Sequence, residues 1–204
     1  TFGIPQPPAS PGASAPPATR ATSTALAVPG LAAPEARPLS PMRKTIARRL
    51  TQAKQNVPHF YLTIDVDADE LVALRERING ELAANAPKPK NGEAVKPEKI
   101  SINDLLIKAC AAALVRVPEC NAQFSDEALL IHKRVDISVA VAIPDGLVTP
   151  VVRDADKKGV LAISAEVRDL AARAKGKKLK PEEMANGTFS ISNGGVFGSM
   201  LSTP

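Results

Sequence analysis

Along residues 42–55 the apolar side chains recur at helical spacing. Met42, Ile46, Leu50 and Ala53 fall on one face, while Arg43, Lys44, Arg48, Arg49 and Lys54 mostly cover the others. Ser40 followed by Pro41 supplies an N-cap and a first helical residue, so the pattern predicts an amphipathic packing helix. Pro58 blocks its continuation. The period then changes to two: Phe60, Leu62, Ile64 and Val66 alternate with Tyr61, Thr63, Asp65 and Asp67, which predicts a half-buried strand. Helical spacing returns with Leu71, Leu74, Ile78 and Leu82, in a helix capped by Asp67 or Asp69 and running to about Ala86. Residues 87–99, rich in Lys, Pro, Gly and Asn, predict an exposed loop. Ser101 or Asn103 caps a third helix, in which Leu105, Leu106, Ala109, Ala112, Ala113 and Leu114 make more than half the circumference apolar. That helix is expected to be central.

Beyond Pro118 the pattern shortens into strands at 122–124 and 128–132, then at 135–143, whose near-continuous apolar run predicts burial on both faces. Asp145-Gly146 turns the chain into 147–152, so those two runs are expected to pair as a hairpin. A fourth helix is predicted over 164–174 and a last strand over 188–192. Helices and strands mingle without a strict βαβ repeat. The expected fold is therefore an α/β domain of the α+β two-layer kind, a mixed sheet packed with helices.

Residues 1–39 differ in kind. They are a Pro, Ala, Ser and Thr mixture with little charge and no apolar period, unable to offset the entropy of ordering. They read as a Pro/Ala-rich flexible linker, extended by its prolines, ahead of a folded domain at 40–204. The 204 residues are 44% hydrophobic, enough for one core of ordinary size. The net charge of +5 is spread among acids, and aromatics are only 3%, which argues against a nucleic-acid partner. The densest basic run, 173–180, suits a solvated helix end, with a phosphate-bearing ligand or an acidic partner as the alternative. No apolar run is long enough for a membrane span and no leader pattern opens the chain, so a soluble protein is expected. Cys110 and Cys120 read as buried thiols in a reducing compartment.

Candidate chemistry is sparse when read from residue types alone. No GxGxxG or Walker loop follows a strand, and Gly194, Gly195 and Gly198 read as turn glycines. No cluster has metal-ligand spacing. The two histidines, His59 and His132, have no serine or cysteine partner placed by local sequence and read as structural.

Four colinear segments carry more. They are Ser-Pro-Met-Arg-Lys-Thr-Ile-Ala-Arg-Arg-Leu from Ser40, Val-Pro-His-Phe-Tyr-Leu-Thr from Val57, Pro-Asp-Gly-Leu-Val-Thr-Pro-Val-Val from Pro144 and Gly-Thr-Phe-Ser-Ile-Ser-Asn-Gly-Gly-Val-Phe-Gly from Gly187. Together they resemble the catalytic core of the dihydrolipoamide acyltransferases of 2-oxoacid dehydrogenase complexes. The resemblance implies a chloramphenicol-acetyltransferase-like domain, truncated at its C-terminus, that forms homotrimers and assembles further into a larger core. It implies coenzyme A and a lipoate carried on a lipoyl domain absent from this chain, with 2-oxoacid decarboxylase and dihydrolipoamide dehydrogenase components as partners. The setting would be the bacterial cytoplasm, or the mitochondrial matrix in a eukaryote.

The reaction implied is acyl transfer between dihydrolipoamide and coenzyme A, with a histidine base on one subunit and a hydroxyl from its neighbour donating to the oxyanion. By position Ser192 matches that hydroxyl, and Asn193, Arg75 and Ser101 match coenzyme-A contacts. The ordinary alternatives are a strand-end hydroxyl for Ser192, a helix cap for Ser101 and a solvated cation for Arg75. The family's His-x-x-x-Asp-Gly motif is expected beyond Pro204, so the chain as given is expected to lack its base and both natural termini. Val-Pro-His-Phe-Tyr-Leu-Thr looks like the acetyltransferases of pyruvate dehydrogenase complexes, and Asn-Gly-Gly-Val-Phe-Gly-Ser looks like the succinyltransferase branch. Acetyl transfer is the expectation, with succinyl transfer or a noncatalytic core subunit as alternatives.

Overall fold

The computed structural model describes residues 35–86, 98–125, 127–144 and 146–200. The predicted linker at 1–39 and the loop at 87–99 therefore lie almost wholly outside the described residues. Helix α1 spans Pro41–Asn56, and Ser40 caps it by accepting the Arg43 N–H. It is less of a packing helix than its pattern predicts, because none of its residues is fully buried. Only Met42 and Ile46 are half-buried, while Leu50 stays 59% exposed.

Residues 57–68 carry no regular secondary structure and form no strand with any described residue. Phe60, Leu62, Ile64 and Val66 are 80%, 86%, 84% and 76% exposed, which corrects the expected half-buried strand. Alternation gives a segment the right side-chain period, yet a strand exists only where another strand accepts its backbone hydrogen bonds.

Helix α2 (Asp69–Ala84) starts at Ala68, not at an acidic cap; Asp67 instead accepts the Asp69 N–H in a local turn. Its half-buried stripe is Leu71, Arg75, Ile78, Asn79 and Leu82, so a cation and an amide sit among the apolar positions. Helix α3 (Ile102–Arg116) is the central one. Asp104, Leu105, Ile107, Ala111 and Leu114 are buried, whereas Ala109, Ala112 and Ala113 face outward. The short apolar side chains on that outer face are tolerated in water because little area is exposed.

The remaining strands are β1 (Ala122–Phe124), β2 (Leu129–Ile131), β3 (Ile137–Val139), β4 (Val141–Ile143), β5 (Gly146–Val148), β6 (Val151–Val152) and β7 (Phe189–Ile191), with α4 (Val160–Lys175) between β6 and β7. The long apolar run at 135–143 is thus two strands, not one. The β3 part is buried throughout and sits in the middle of a three-stranded sheet, antiparallel to β6 and parallel to β7. Past Ala140 the chain leaves that sheet, and β4 pairs with β5 as the expected hairpin, Val141 opposite Val148 and Ile143 opposite Gly146. Gly146, at φ 154°, lies under Met42 Sδ and Ile46 Cδ1, where any Cβ would come within 3.1 and 3.2 Å of them.

Helices α3 and α4 cover the β6–β3–β7 sheet, so the described fold has the expected two layers. Ile107, Ala111, Leu114, Ile137, Val139, Val152, Ile163 and Leu170 form its core. Cys110 packs against that core, and burial raises its thiol above the ordinary range. Cys120 is exposed, contrary to the reading of both cysteines as buried, because the 3-10 turn Pro118–Cys120 leads the chain out of α3. Arg173, which opens the basic run, lies in the last turn of α4, is ion-paired to Asp169 and Glu183 and is not left free for a phosphate.

Candidate active site

Strand β7 is placed by its parallel register with β3, Ile137 opposite Phe189 and Val139 opposite Ile191, and by the Ala140 N–H donating to Ile191 O at 2.9 Å. Its entry is locked as well. Thr188 Oγ1 accepts the Asp136 N–H at 3.1 Å and donates to Asp136 O at 3.3 Å, so this hydroxyl is consumed by the backbone. Gly187 lies where a Cβ would stand 2.0 Å from Ser138 Oγ, and only glycine fits that approach. The strand runs out at Ser192, which is exposed and lines a cleft of about 300 Å³.

Leu106 of α3, Ile191, Asn193, Gly194, Gly195, Ser199 and Met200 form the rest of that cleft. Ser190, two residues earlier on the same side of the strand, is not among its lining residues. Neither histidine borders it. His59 is exposed near the end of α1, bonded to Val57 O and Tyr61 Oη, and His132 lines a different cleft with Arg134 and Asn186.

Behind the cleft, the Asn193 amide is oriented by two bonds. Its Oδ1 accepts the Gly195 N–H at 2.9 Å and its Nδ2 donates to Asn103 Oδ1 at 2.8 Å. Asn103 belongs to the first turn of α3, whose N-terminus carries a full capping box: Ser101 Oγ accepts the Asp104 N–H at 3.2 Å and Asp104 Oδ2 accepts the Ser101 N–H at 2.7 Å. The cap reading of Ser101 is therefore met. Its hydroxyl proton remains available to a ligand, since the cap uses the oxygen as acceptor.

Helix α2, which carries Arg75, is fastened beside the start of α3. One turn beyond Arg75, Asn79 clasps the Ile100 backbone, accepting its N–H at 2.8 Å and donating to its carbonyl at 3.0 Å. The Arg75 side chain is 34% exposed and is ion-paired to Glu76 at 3.4 Å, while its Nε is buried with no hydrogen-bond partner among the described residues. That is not a freely solvated cation. Of the four residues singled out in the sequence, Asn193 is thus bonded to the α3 turn that Ser101 caps, with Ser192 directly before it, whereas Arg75 lies on the neighbouring helix α2 and its ion pair is with Glu76.

Comparison with known proteins fits this architecture. Residues 32–204 match the 2-oxoacid dehydrogenases acyltransferase family, catalytic domain. The chain belongs to this family. It is 50% identical over 157 residues to the dihydrolipoyllysine-residue acetyltransferase component of the pyruvate dehydrogenase complex of Rhizobium meliloti, covering 77% of this chain and 34% of that protein. It is 48% identical over 163 residues to the mitochondrial counterpart of Caenorhabditis elegans, covering 80% and 31%. The chain thus spans about a third of the length of these relatives. Among solved structures it is similar to the dihydrolipoamide acetyltransferase of Azotobacter vinelandii, with TM-score 0.74, 32% identity, and 84% of this chain and 67% of that one covered. In that protein a serine, a histidine and an asparagine were investigated for their role in the catalytic mechanism.

Within the family domain, sequence reasoning missed Asn79, Leu106 and the pairing role of Asn103, which was weighed only as a cap. A partner 90 residues away leaves no local signal. The polar interruption of the α2 stripe by Arg75 and Asn79 was legible, because two polar side chains on an otherwise apolar face must find buried partners or a ligand.

Proposed function

We propose that this chain is part of a dihydrolipoyllysine-residue acetyltransferase, moving an acetyl group between dihydrolipoamide and coenzyme A in the core of a pyruvate dehydrogenase complex. The observation that carries the reading is the placement of Ser192 on a cleft whose wall is tied, through Asn193 and Asn103, to the capped end of α3. The names of the relatives favour acetyl over succinyl transfer. In this reading Ser192 donates its hydroxyl to the oxyanion that develops during acyl transfer, a role needing a donor held in place before the charge appears.

Coenzyme A is the substrate that the surrounding residues suit. Arg75 offers the exposed part of its guanidinium to a phosphate, Ser101 a spare hydroxyl proton, and Asn193 the second hydrogen of its amide. The base that deprotonates the attacking thiol belongs, in this reading, to a His-x-x-x-Asp-Gly motif of the full-length protein. We further assign residues 1–39 to a linker and 40–204 to the catalytic domain. The functional unit is a homotrimer within a larger core, served by a lipoyl domain and by decarboxylase and dihydrolipoamide dehydrogenase components, in the bacterial cytoplasm or the mitochondrial matrix.

The test is steady-state acetyl transfer from acetyl-coenzyme A to dihydrolipoamide by the full-length protein, with succinyl-coenzyme A as competitor. Turnover of the acetyl donor at a kcat/KM at least about a hundredfold above the succinyl donor is expected. Preference for succinyl, or no transfer by a correctly assembled protein, overturns the assignment.

A further inference from the structure

We propose that Asn103 is a positioning residue for the reaction, holding the turn after Ser192 through the side chain of Asn193; the inference rests on the acetyltransferase reading above. Asn103 is half-buried in the first turn of α3, between the cap residue Ser101 and the buried Asp104. The capping box uses its two neighbours, Ser101 and Asp104, and leaves the Asn103 amide out. That amide points its Oδ1 at Asn193 Nδ2, 2.8 Å away and 90 residues distant in the chain.

Asn193 Oδ1 is at the same time taken by the Gly195 N–H at 2.9 Å, so the Asn193 amide has one orientation. The carbonyl side shapes its own turn and the amino side fastens that turn to α3. Ser192 precedes this fastened residue directly and is itself exposed, with β7 ending at Ile191. Strand pairing therefore holds Ser192 from one side only. The Asn103 bond is what holds it from the other, and it does so from the helix end that also presents Ser101.

A donor that must meet a developing charge loses effect when displaced by a fraction of an ångström. Without the Asn103 acceptor, the turn keeps its internal Gly195 bond but is released from α3. The consequence falls on turnover more than on substrate binding. The requirement is for an acceptor oxygen at the Oδ1 position, which aspartate keeps and leucine of nearly the same shape removes.

The experiment uses the full-length protein and measures acetyl transfer with Asn103→Leu, Asn103→Asp, Asn193→Ser and the double variant Asn103→Leu/Asn193→Ser. Asn193→Ser keeps a side-chain oxygen that can accept the Gly195 N–H and is too short to reach Asn103, whereas an aspartate there could accept from the Asn103 amide after a flip. Each of the two disrupting single variants is expected to lower kcat about tenfold with KM for dihydrolipoamide within twofold, the double variant no more than either, and Asn103→Asp to retain most of the wild-type rate. Equal loss in Asn103→Asp and Asn103→Leu, or multiplicative loss in the double variant, overturns the pairing role. So does an Asn103→Leu variant of wild-type turnover. If Asn103→Leu does not fold, the pair is read from Asn193→Ser alone: wild-type kcat there defeats the proposal. An inactive wild-type protein instead defeats the acetyltransferase reading, which keeps the two failures apart.

Discussion

Arg153 donates from Nη1 to the carboxylate of Asp136 at 3.0 Å, and the same guanidinium caps the carbonyls of Glu182, Ala185 and Asn186. The pair joins the end of β6 to the turn that feeds β7. Asp136 has a side chain only 1% exposed, and it also receives Arg134 and the Asp154 N–H. Burial alone would raise its pKa. The Asp154 N–H and the Arg134 and Arg153 guanidiniums outweigh burial and hold the carboxyl below its ordinary value of 3.8.

A depressed folded-state pKa means stability that is present above the unfolded value and lost as pH falls through the folded one. Denaturant melts of the protein should therefore weaken below about pH 4, and Asp136→Asn should flatten that acid limb. At pH 7 the asparagine variant should be less stable by roughly 1–2 kcal/mol, because it removes the carboxylate that Arg134 and Arg153 share, while both guanidiniums stay partly in water. An acid limb identical in the two proteins would show that another carboxylate governs it.

The Gly187 approach to Ser138 makes a paired prediction. Gly187→Ala should cost about 1–3 kcal/mol through overpacking. Adding Ser138→Ala removes the oxygen that a Cβ would meet at 2.0 Å and leaves the Ser138 Cβ at 3.3 Å, so the double variant should recover most of the loss. Thermal melts of the single and double variants check this, and additive losses would contradict it.

Ser192→Ala in the full-length protein should lower acetyl-transfer turnover about a hundredfold, roughly 3 kcal/mol of transition-state stabilisation, with little change in either KM. Ser190→Ala should be mild, since Ser190 does not line the cleft. The reverse ranking would put the site two residues earlier on the strand.

Arg75→Ala should weaken coenzyme-A binding in calorimetry by about tenfold, and Arg75→Lys should restore only part of it, because an ammonium cannot present the forked guanidinium contacts. Unchanged affinity would return Arg75 to a structural place on α2.

Exposed apolar side chains predict association of the 204-residue chain by itself. Phe60, Leu62, Ile64 and Val66 on the segment before α2, with Phe197 and Met200 after β7, stand 75% or more exposed. Sedimentation should show self-association, reduced by Leu62→Lys with Ile64→Lys at little cost in melting temperature. A monodisperse parent chain would contradict this.

Local order was legible in the sequence wherever one segment decides it. The Ser40 and Ser101 caps, the core position of α3, the β4–β5 hairpin and the last strand follow from side-chain period, capping chemistry and turn residues, all set within a few positions. Ser192 and Asn193 were reached through the pattern Ser-Ile-Ser-Asn, and Ser101 and Arg75 through their motifs. Tertiary structure alone decided that the run at 135–143 divides between two sheets, that Phe60 to Val66 finds no strand among the described residues, and that Asn103 meets Asn193. The reason is physical: period and propensity act between neighbours in the chain, whereas a strand's partner and an amide's acceptor are supplied by residues tens of positions away, brought near only when the core closes.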